Sequence, residues 1–293
     1  MRTLMILAVL GLFGSVVGLS ACSDQNDSEK VLRFTAIPDD DTTLLRQKYE
    51  PIAEYLSKKL GIKVEYVPVA DYSAAVTAFK NGDVQLAWFG GLTGVQARHA
   101  VEGARAIAQG TEDPEYFSYF IAHKDTGLTL RDEFPMEMAG KRFTFGSQSS
   151  TSGRLMPEHF IRKFGGKKPK DFFSEINFSG AHDKTCELVQ SGAWEFGGVS
   201  YTTYDKMVKS GKIDPDVCRI VWKTPIYPDY NFTAHPDLEK TFEAGFTDRL
   251  QKALVAMTDK KLLSAFLRSG LIPATNSDFE RIEMLARELD FVR

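Results

Sequence analysis

KVEYVPVADYSAAVTAFKNGDVQLAWFGG, residues 63–91, is the stretch from which the fold is read. Lys63 to Val69 is rich in Val and predicts a strand. Asp71 or Ser73 opens a helix through Lys80, and Asn81-Gly82 ends it. Val84 to Phe89 is a short continuous apolar run, the pattern of a strand buried on both faces. Gly90-Gly91 then turns the chain into a helix over Thr93 to Val101. Upstream, Val31 to Ala36 alternates as a strand does, with Leu32, Phe34 and Ala36 on one face. Between the two, Thr42 or Thr43 is placed to cap a helix with Leu45, Tyr49, Ile52, Leu56 and Leu60 on one stripe. Pro51 interrupts that helix or starts its second part. Downstream, Arg105 to Gln109 is a further strand. This βαβαβ order predicts a mostly parallel sheet covered by helices.

The pattern then repeats in a second α/β unit. Tyr116 to His123 reads as a strand leaving the first lobe. Strands follow at Lys141–Gly146, Glu175–Phe178 and Phe196–Tyr201, with helices at Pro157–Phe164, Asp183–Gly192 and Tyr204–Gly211. Arg219 to Lys223 begins the return. The tail shows only helical spacing, at Leu238–Phe246, Asp248–Thr258 and Asp278–Leu289, and is read as packing back on the first lobe. The resulting division is 31–120 with 224–293 as lobe 1, and 121–223 as lobe 2. A cleft between two such lobes, at strand C-termini, is where α/β proteins hold small ligands.

Residues 1–21 stand apart from the fold. Arg2 is a short positive start, Leu4 to Val17 is apolar apart from glycines and Ser15, and Leu19-Ser20-Ala21-Cys22 follows. This is a secretory signal, too short for a transmembrane helix of about 20 apolar residues. Small residues before Cys22 resemble the bacterial lipobox, which implies a mature chain exported and lipid-anchored through Cys22 on the periplasmic face of the cell membrane. Residues 22–30 are polar and read as a flexible tether. The chain carries 36 Lys and Arg against 39 Asp and Glu, a balance that argues against nucleic acid. Besides Cys22 there are Cys186 and Cys218, which an oxidising compartment permits either to pair or to remain as two buried thiols. Neither has metal-ligand spacing.

The strongest local chemistry is Gly146-Ser-Gln-Ser-Ser-Thr-Ser-Gly153 between a strand and a helix. A helix start offers free N–H groups and a partial positive charge, which suit an anion. Ser150, Thr151 and Ser152 add hydroxyls, yet the same residues serve as a plain helix cap. His182, ahead of a helix that Asp183 is placed to cap, is either a ligand donor or an ordinary histidine. A Ser–His–Asp hydrolase built from Ser150 or Ser152, His182 and Asp183 is disfavoured, because the loop lacks the strained nucleophile turn and Asp183 is better used as a cap. No enzyme activity, metal or cofactor is expected.

Four segments carry a resemblance: YEPIAEYLSKKLG (49–61), ADYSAAVTAFKNGDVQLAWFGG (70–91), GSQSSTSGRLMP (146–157) and GAHDKTCELVQSG (180–192). Together they resemble the phosphonate- and phosphite-binding proteins of bacterial ABC importers, with a neighbouring branch labelled selenate-binding similar in GAHDKT and AWFGG. The resemblance implies a type II periplasmic-binding fold, two α/β lobes on a two-strand hinge. It implies ligand contacts from Ser150, Thr151, Ser152 and His182, with Tyr72, Phe89 and Gly91 from the first lobe and Tyr201 as a further donor. For Phe89, as for Trp88, core packing is the competing reading. Binders of amino-phosphonates carry an acidic residue where this chain has Val199-Ser200-Tyr201-Thr202, so the expected ligand is a compact oxyanion without an amine: phosphite, phosphate, a simple phosphonate or selenate. The implied partners are a permease and its ATPase, with the binding protein a monomer. Alternatives are a sensor role, or a larger ligand such as a sulfonate or cofactor precursor stacked on Tyr72, Trp88, Phe89 or Tyr201.

Overall fold

The structure, a computed structural model, describes residues 30–38 and 42–292. The signal, Cys22, nearly all of the tether and the side chains of Thr42 and Thr43 lie outside the described residues. The described residues form eleven strands: β1 (Val31–Ala36), β2 (Lys63–Tyr66), β3 (Leu86–Phe89), β4 (Arg105–Gly110), β5 (Ser118–His123), β6 (Arg142–Phe145), β7 (Glu175–Phe178), β8 (Phe196–Ser200), β9 (Cys218–Lys223), β10 (Asn231–Ala234) and β11 (Leu271–Pro273). The helices are α1 (Thr42–Leu60), α2 (Tyr72–Lys80), α3 (Gly91–Ala100), α4 (Met156–Gly165), α5 (Pro169–Phe172), α6 (His182–Gln190), α7 (Tyr201–Lys209), α8 (Asp237–Thr241), α9 (Phe246–Val255), α10 (Lys260–Leu263) and α11 (Glu280–Glu288).

The strands build two sheets, ordered β11-β4-β10-β3-β1-β2 and β7-β6-β8-β5-β9. In the first, β1 pairs in parallel with β2 and β3, while β10 lies antiparallel between β3 and β4. In the second, β6 is parallel to β7 and β8, and β5 is antiparallel to β8 and β9. Each sheet is therefore a parallel unit into which one antiparallel strand, β10 in the first and β5 in the second, is inserted on arrival from the other lobe.

Four sequence expectations are corrected. Pro51 does not interrupt α1, which runs unbroken from residue 42 to 60; burial of Tyr49, Ile52, Leu56 and Leu60 outweighs the one backbone bond that a proline removes. The tail is not purely helical, because β11 pairs antiparallel with β4 at the sheet edge. Three residues ending in a proline are too few to show period two, and an edge is where a proline is tolerated. Asp183 is not a cap: α6 starts at His182, and Ala181 precedes it with no side-chain cap. The division at residue 120 falls inside β5, all of which pairs in the second sheet, so the first crossing is complete by Ser118.

The two crossing segments, 111–117 and 224–230, touch at an antiparallel bridge between Tyr116 and Tyr227. A buried clasp holds them. Asp113 is fully buried and accepts from Arg268 Nη2 at 2.6 Å and Nε at 2.9 Å, and from the Gly110 N–H at 2.7 Å. The Asp113 carbonyl accepts the Asp229 N–H at 3.1 Å. The Arg268 guanidinium also lies over the rings of Tyr116 at 5.1 Å and Tyr230 at 4.9 Å. A side chain at Gly110 would meet Arg268 Cδ at 2.5 Å, so only glycine fits beside the clasp. Cys186 and Cys218 are two buried free thiols in one apolar cluster beside Val189, Tyr204 and Met207.

Breaking the clasp from one side leaves a buried carboxylate without its cation. Arg268→Ala is expected to lower stability by about 3–5 kcal/mol, read from urea denaturation. A change below ~1 kcal/mol would mean that the pair does not hold the hinge.

Candidate functional site

Four helices begin where strands of both sheets end: α3 after β3, α6 after β7, α7 after β8, and the turn Thr151–Leu155 that leads into α4 after β6. Each start exposes N–H groups that no residue of its own helix can accept. The Ser/Thr loop is held in place locally. Ser150 Oγ accepts from the Gly153 N–H at 2.9 Å, and Gly146 N–H donates to the Gly153 carbonyl at 2.8 Å. The Met156 N–H reaches back to the Thr151 carbonyl, five residues earlier, so the first turn is wide. Gly153 is required there: a Cβ would sit 3.0 Å from His182 Cε1 and 3.1 Å from Ser150 Oγ.

His182 is fully buried against this loop. Its Nδ1 accepts the Ser200 N–H at 3.3 Å, while Nε2 lies 3.3 Å from Ser152 Oγ and 3.5 Å from Ser150 Oγ. A backbone N–H can only donate, so the neutral ring carries its proton on Nε2 and donates to the serines. Burial lowers the imidazole pKa to about 4, which makes His182 a neutral donor at pH 7. The chain of donors continues with fixed direction. Ser118 Oγ donates to the Ser152 carbonyl at 2.7 Å, so at 2.5 Å from the Tyr227 hydroxyl it must accept.

Thr151 reaches across the cleft. Its Oγ1 accepts the Leu92 N–H at 3.0 Å and, like Asp229 Oδ1, lies against Gly90. Asp229 Oδ1 accepts the Gly91 N–H at 2.8 Å. The start of α3 is therefore capped by two side chains from elsewhere in the chain, one from each lobe's side. Gly90 leaves the room for both, since a Cβ there would lie 3.2 Å from Thr151 Oγ1 and 3.3 Å from Asp229 Oδ1. The other carboxylate oxygen of Asp229, Oδ2, is buried with no hydrogen-bond partner. Desolvation raises the Asp229 pKa to about 7, against the lowering effect of the Gly91 N–H and the nearby Thr151 hydroxyl.

The residues singled out in the sequence fall into two groups. Ser150, Thr151, Ser152, His182 and Gly91 come together around this point, although the Gly91 N–H is engaged by Asp229. Tyr72, Phe89 and Tyr201 have other surroundings. Tyr72 is buried at the first position of α2, which Asp71 caps through the Ala74 N–H. Phe89 packs edge-on against Phe79 at 5.7 Å, and Trp88 lies on Tyr230 at 5.5 Å, both in the core. Tyr201 stacks on Phe117 at 4.0 Å and leans on Tyr116 at 4.8 Å. Beside it, Ser200 Oγ and Thr202 Oγ1 meet the Tyr116 hydroxyl at 2.6 and 2.7 Å. The sequence reading missed Asp229 and Tyr227. Their signal was a lone acid among rings and prolines in Pro225-Ile-Tyr-Pro-Asp-Tyr230, in a segment then read only as a return to lobe 1. Arg154, next to the loop, is ion-paired with Glu158 and lies over the rings of Phe145 at 4.3 Å and Phe178 at 4.8 Å.

Two lobes joined by two crossing strands, with helix starts converging on a buried set of hydroxyls, define a two-lobe periplasmic solute-binding protein. The chain belongs to the family described as the periplasmic substrate-binding protein of phosphonate ABC transporters, whose model matches residues 34–279. It is 36% identical over 271 residues to a probable ABC transporter phosphite-binding protein of Prochlorococcus marinus, covering 90% of this chain and 91% of that one. It is 30% identical over 241 residues to a phosphate-import protein of Mycolicibacterium smegmatis, covering 75% of this chain and 73% of the relative. The crystal structure of the Prochlorococcus protein with methylphosphonate superposes with a TM-score of 0.84, covering 90% of this chain and 99% of that one. The relatives are transport proteins, and this chain is accordingly the substrate-binding component of an ABC importer. Among the described residues no helix is long and apolar enough to cross a membrane.

The two buried groups make opposite contributions to stability with pH. His182 binds a proton less readily folded than unfolded, so its contribution rises with pH between about 4 and 6.5 and is flat above. Asp229 binds a proton more readily folded, so its contribution falls with pH between about 4 and 7. In ligand-free protein, Asp229→Asn should therefore melt higher than the parent at pH 8, with the gain shrinking towards pH 4. A difference independent of pH would show that Asp229 does not titrate in this range.

Proposed function

We propose that this protein captures a small phosphorus oxyanion carrying one O–H, phosphite or methylphosphonate above all, and hands it to the importer's permease. The observation that carries this reading is Asp229 Oδ2, a buried acceptor without a partner beside a cluster of donors. The N–H groups at the helix starts and the Ser150 hydroxyl, held in place by the neutral His182, supply hydrogen bonds to anion oxygens without a buried counter-cation and its desolvation cost. A site of donors alone favours a fully ionised anion. One carboxylate among them, once ionised above its titration near pH 7, reverses that choice, because it then needs a ligand proton to accept and repels a bare oxygen. Phosphite, methylphosphonate and phosphate keep such a proton near neutral pH. Sulfate and selenate do not, which argues against the selenate branch. The names of the relatives, a phosphite binder and a phosphate importer, fall on the same side.

The region 199–202, where an amine-pairing acid is absent, is occupied by Ser200 and Thr202 on the Tyr116 hydroxyl and by the stacked ring of Tyr201. This supports an unsubstituted or methyl ligand over an aminoalkylphosphonate. The reading extends to the address: export by residues 1–21, and a mature monomer that begins at a lipidated Cys22 and is held at the membrane beside its permease.

The test is a thermal-shift panel of phosphite, methylphosphonate, phosphate, an aminoalkylphosphonate, sulfate and selenate on the domain from Ser23. A ligand at about 100 times its Kd adds roughly 2.7 kcal/mol of stability. Phosphite and methylphosphonate should shift the melting curve, and sulfate and selenate should not. Loss of one charge-assisted bond in Asp229→Asn should weaken phosphite about 10–100-fold. Stabilisation by selenate equal to that by phosphite would sink the reading. For the anchor, Cys22→Ser should move the full-length protein from the membrane fraction to the soluble periplasmic fraction; an unchanged distribution would remove the lipid from the account.

A further inference from the structure

One element touches both walls of the site without contributing to it. Helix α11 packs along α3, and Ile282 Cγ1 lies 3.4 Å from where a Cβ on Gly91 would stand. α11 thus backs the helix start that Asp229 and Thr151 cap. After α11 the chain turns sharply. Leu289 ends the helix, Asp290 takes a left-handed conformation at φ 64°, and the Phe291 N–H bonds back to the Ala286 carbonyl at 2.7 Å, with Asp290 N–H on the Arg287 carbonyl at 3.2 Å. This double closure is a Schellman turn, and aspartate is one of the few residues other than glycine to accept its left-handed position. The turn sends Phe291 out of lobe 1 and onto Arg154, whose guanidinium lies 5.6 Å from the ring centre. Gln96 of α3 holds the far side, donating to the Phe291 carbonyl at 3.4 Å.

Arg154 directly follows Gly153 in the anion loop. Its guanidinium is mostly buried between Phe145 and Phe178 on its own lobe and Phe291 from the other. A second pair of opposed groups lies along the same seam, where His159 of α4 feels the charges of Glu288 and Arg281. Opening the lobes must pull Arg154 away from Phe291, because the two belong to different lobes.

We propose that Phe291 and Arg154 are positioning residues for ligand binding: the C-terminal turn of lobe 1 clamps the anion loop of lobe 2 against α3, so affinity depends on residues that touch no ligand. The inference rests on the proposed phosphorus-oxyanion site. When closed, the loop is gripped at Thr151 by the start of α3 and at Arg154 by the tail of α11. Without the second grip the loop is held by Thr151 alone, and ligand release is faster.

The experiment compares the parent with Phe291→Ala and Phe291→Leu, using phosphite and methylphosphonate as probes, with calorimetry for affinity and stopped-flow tryptophan fluorescence for release. Phe291→Ala should weaken both probes about tenfold, the size of a partly desolvated cation–π contact, mainly through faster release. Phe291→Leu keeps the packing but lacks the aromatic face, and should fall between. The ligand-free melting temperature should move little, since the contact belongs to the closed form. If the parent binds a probe and Phe291→Ala binds it with equal affinity and release rate, the clamp is overturned. The same holds if the ligand-free protein loses stability while affinity stays the same. If the parent binds neither probe, it is the ligand assignment above that fails.

Discussion

The Asp229 carboxylate on the Gly91 N–H, with the Thr151 hydroxyl on the Leu92 N–H, is the contact on which the arrangement of the site depends. A buried carboxylate without partners is costly, and here the start of α3 supplies donors that offset part of the cost. The groups that meet here come from three places in the sequence: the capping side chains from the loop at 151 and the crossing segment at 229, and the capped helix start at 91. Their meeting requires both sheets to be formed and the lobes to be brought together. The Asp113–Arg268 clasp serves the same end from behind, because Asp113 holds the Asp229 backbone through its carbonyl.

Around that contact the other donors are arranged by local structure. Ser150 fastens the loop to itself, and Ser200 fixes the imidazole tautomer of His182. Tyr227 and Ser118 form a directed run of hydroxyls that ends on the Ser152 carbonyl. Fixed direction matters for selectivity. A donor whose proton is already pointed cannot rotate to suit a ligand that offers the wrong pattern. The glycines at 90 and 153 are there for space, each leaving room for a polar side chain from another segment.

Much of this was legible in the sequence. The apolar run at 84–89 and its flanking helices gave the first sheet its parallel half, and the Ser/Thr loop with His182 marked one wall of the site. The rest was hidden for identifiable reasons. β10 and β11 are short strands in a stretch dominated by helical spacing, and antiparallel insertion between β3 and β4 depends on the return crossing rather than on local pattern. Asp229 was missed because a lone acid between prolines and rings looks like a turn residue. Only the packing of α3 against the crossing strand makes it a buried group. Phe89 and Tyr201 were read towards the ligand, and in the structure both spend their rings on aromatic neighbours.

In the proposed site, a carboxylate that titrates near neutrality would also make capture a proton-counting event. Between them, Asp229 and a singly protonated anion would need one proton at their shared boundary. Below the Asp229 pKa, closure would expel a proton to the surroundings; above it, the ligand would bring the only one required. The heat and the free energy of capture would then carry a contribution from the acidity of the medium, and an importer fed by such a protein would respond to external pH even if its permease and ATPase did not.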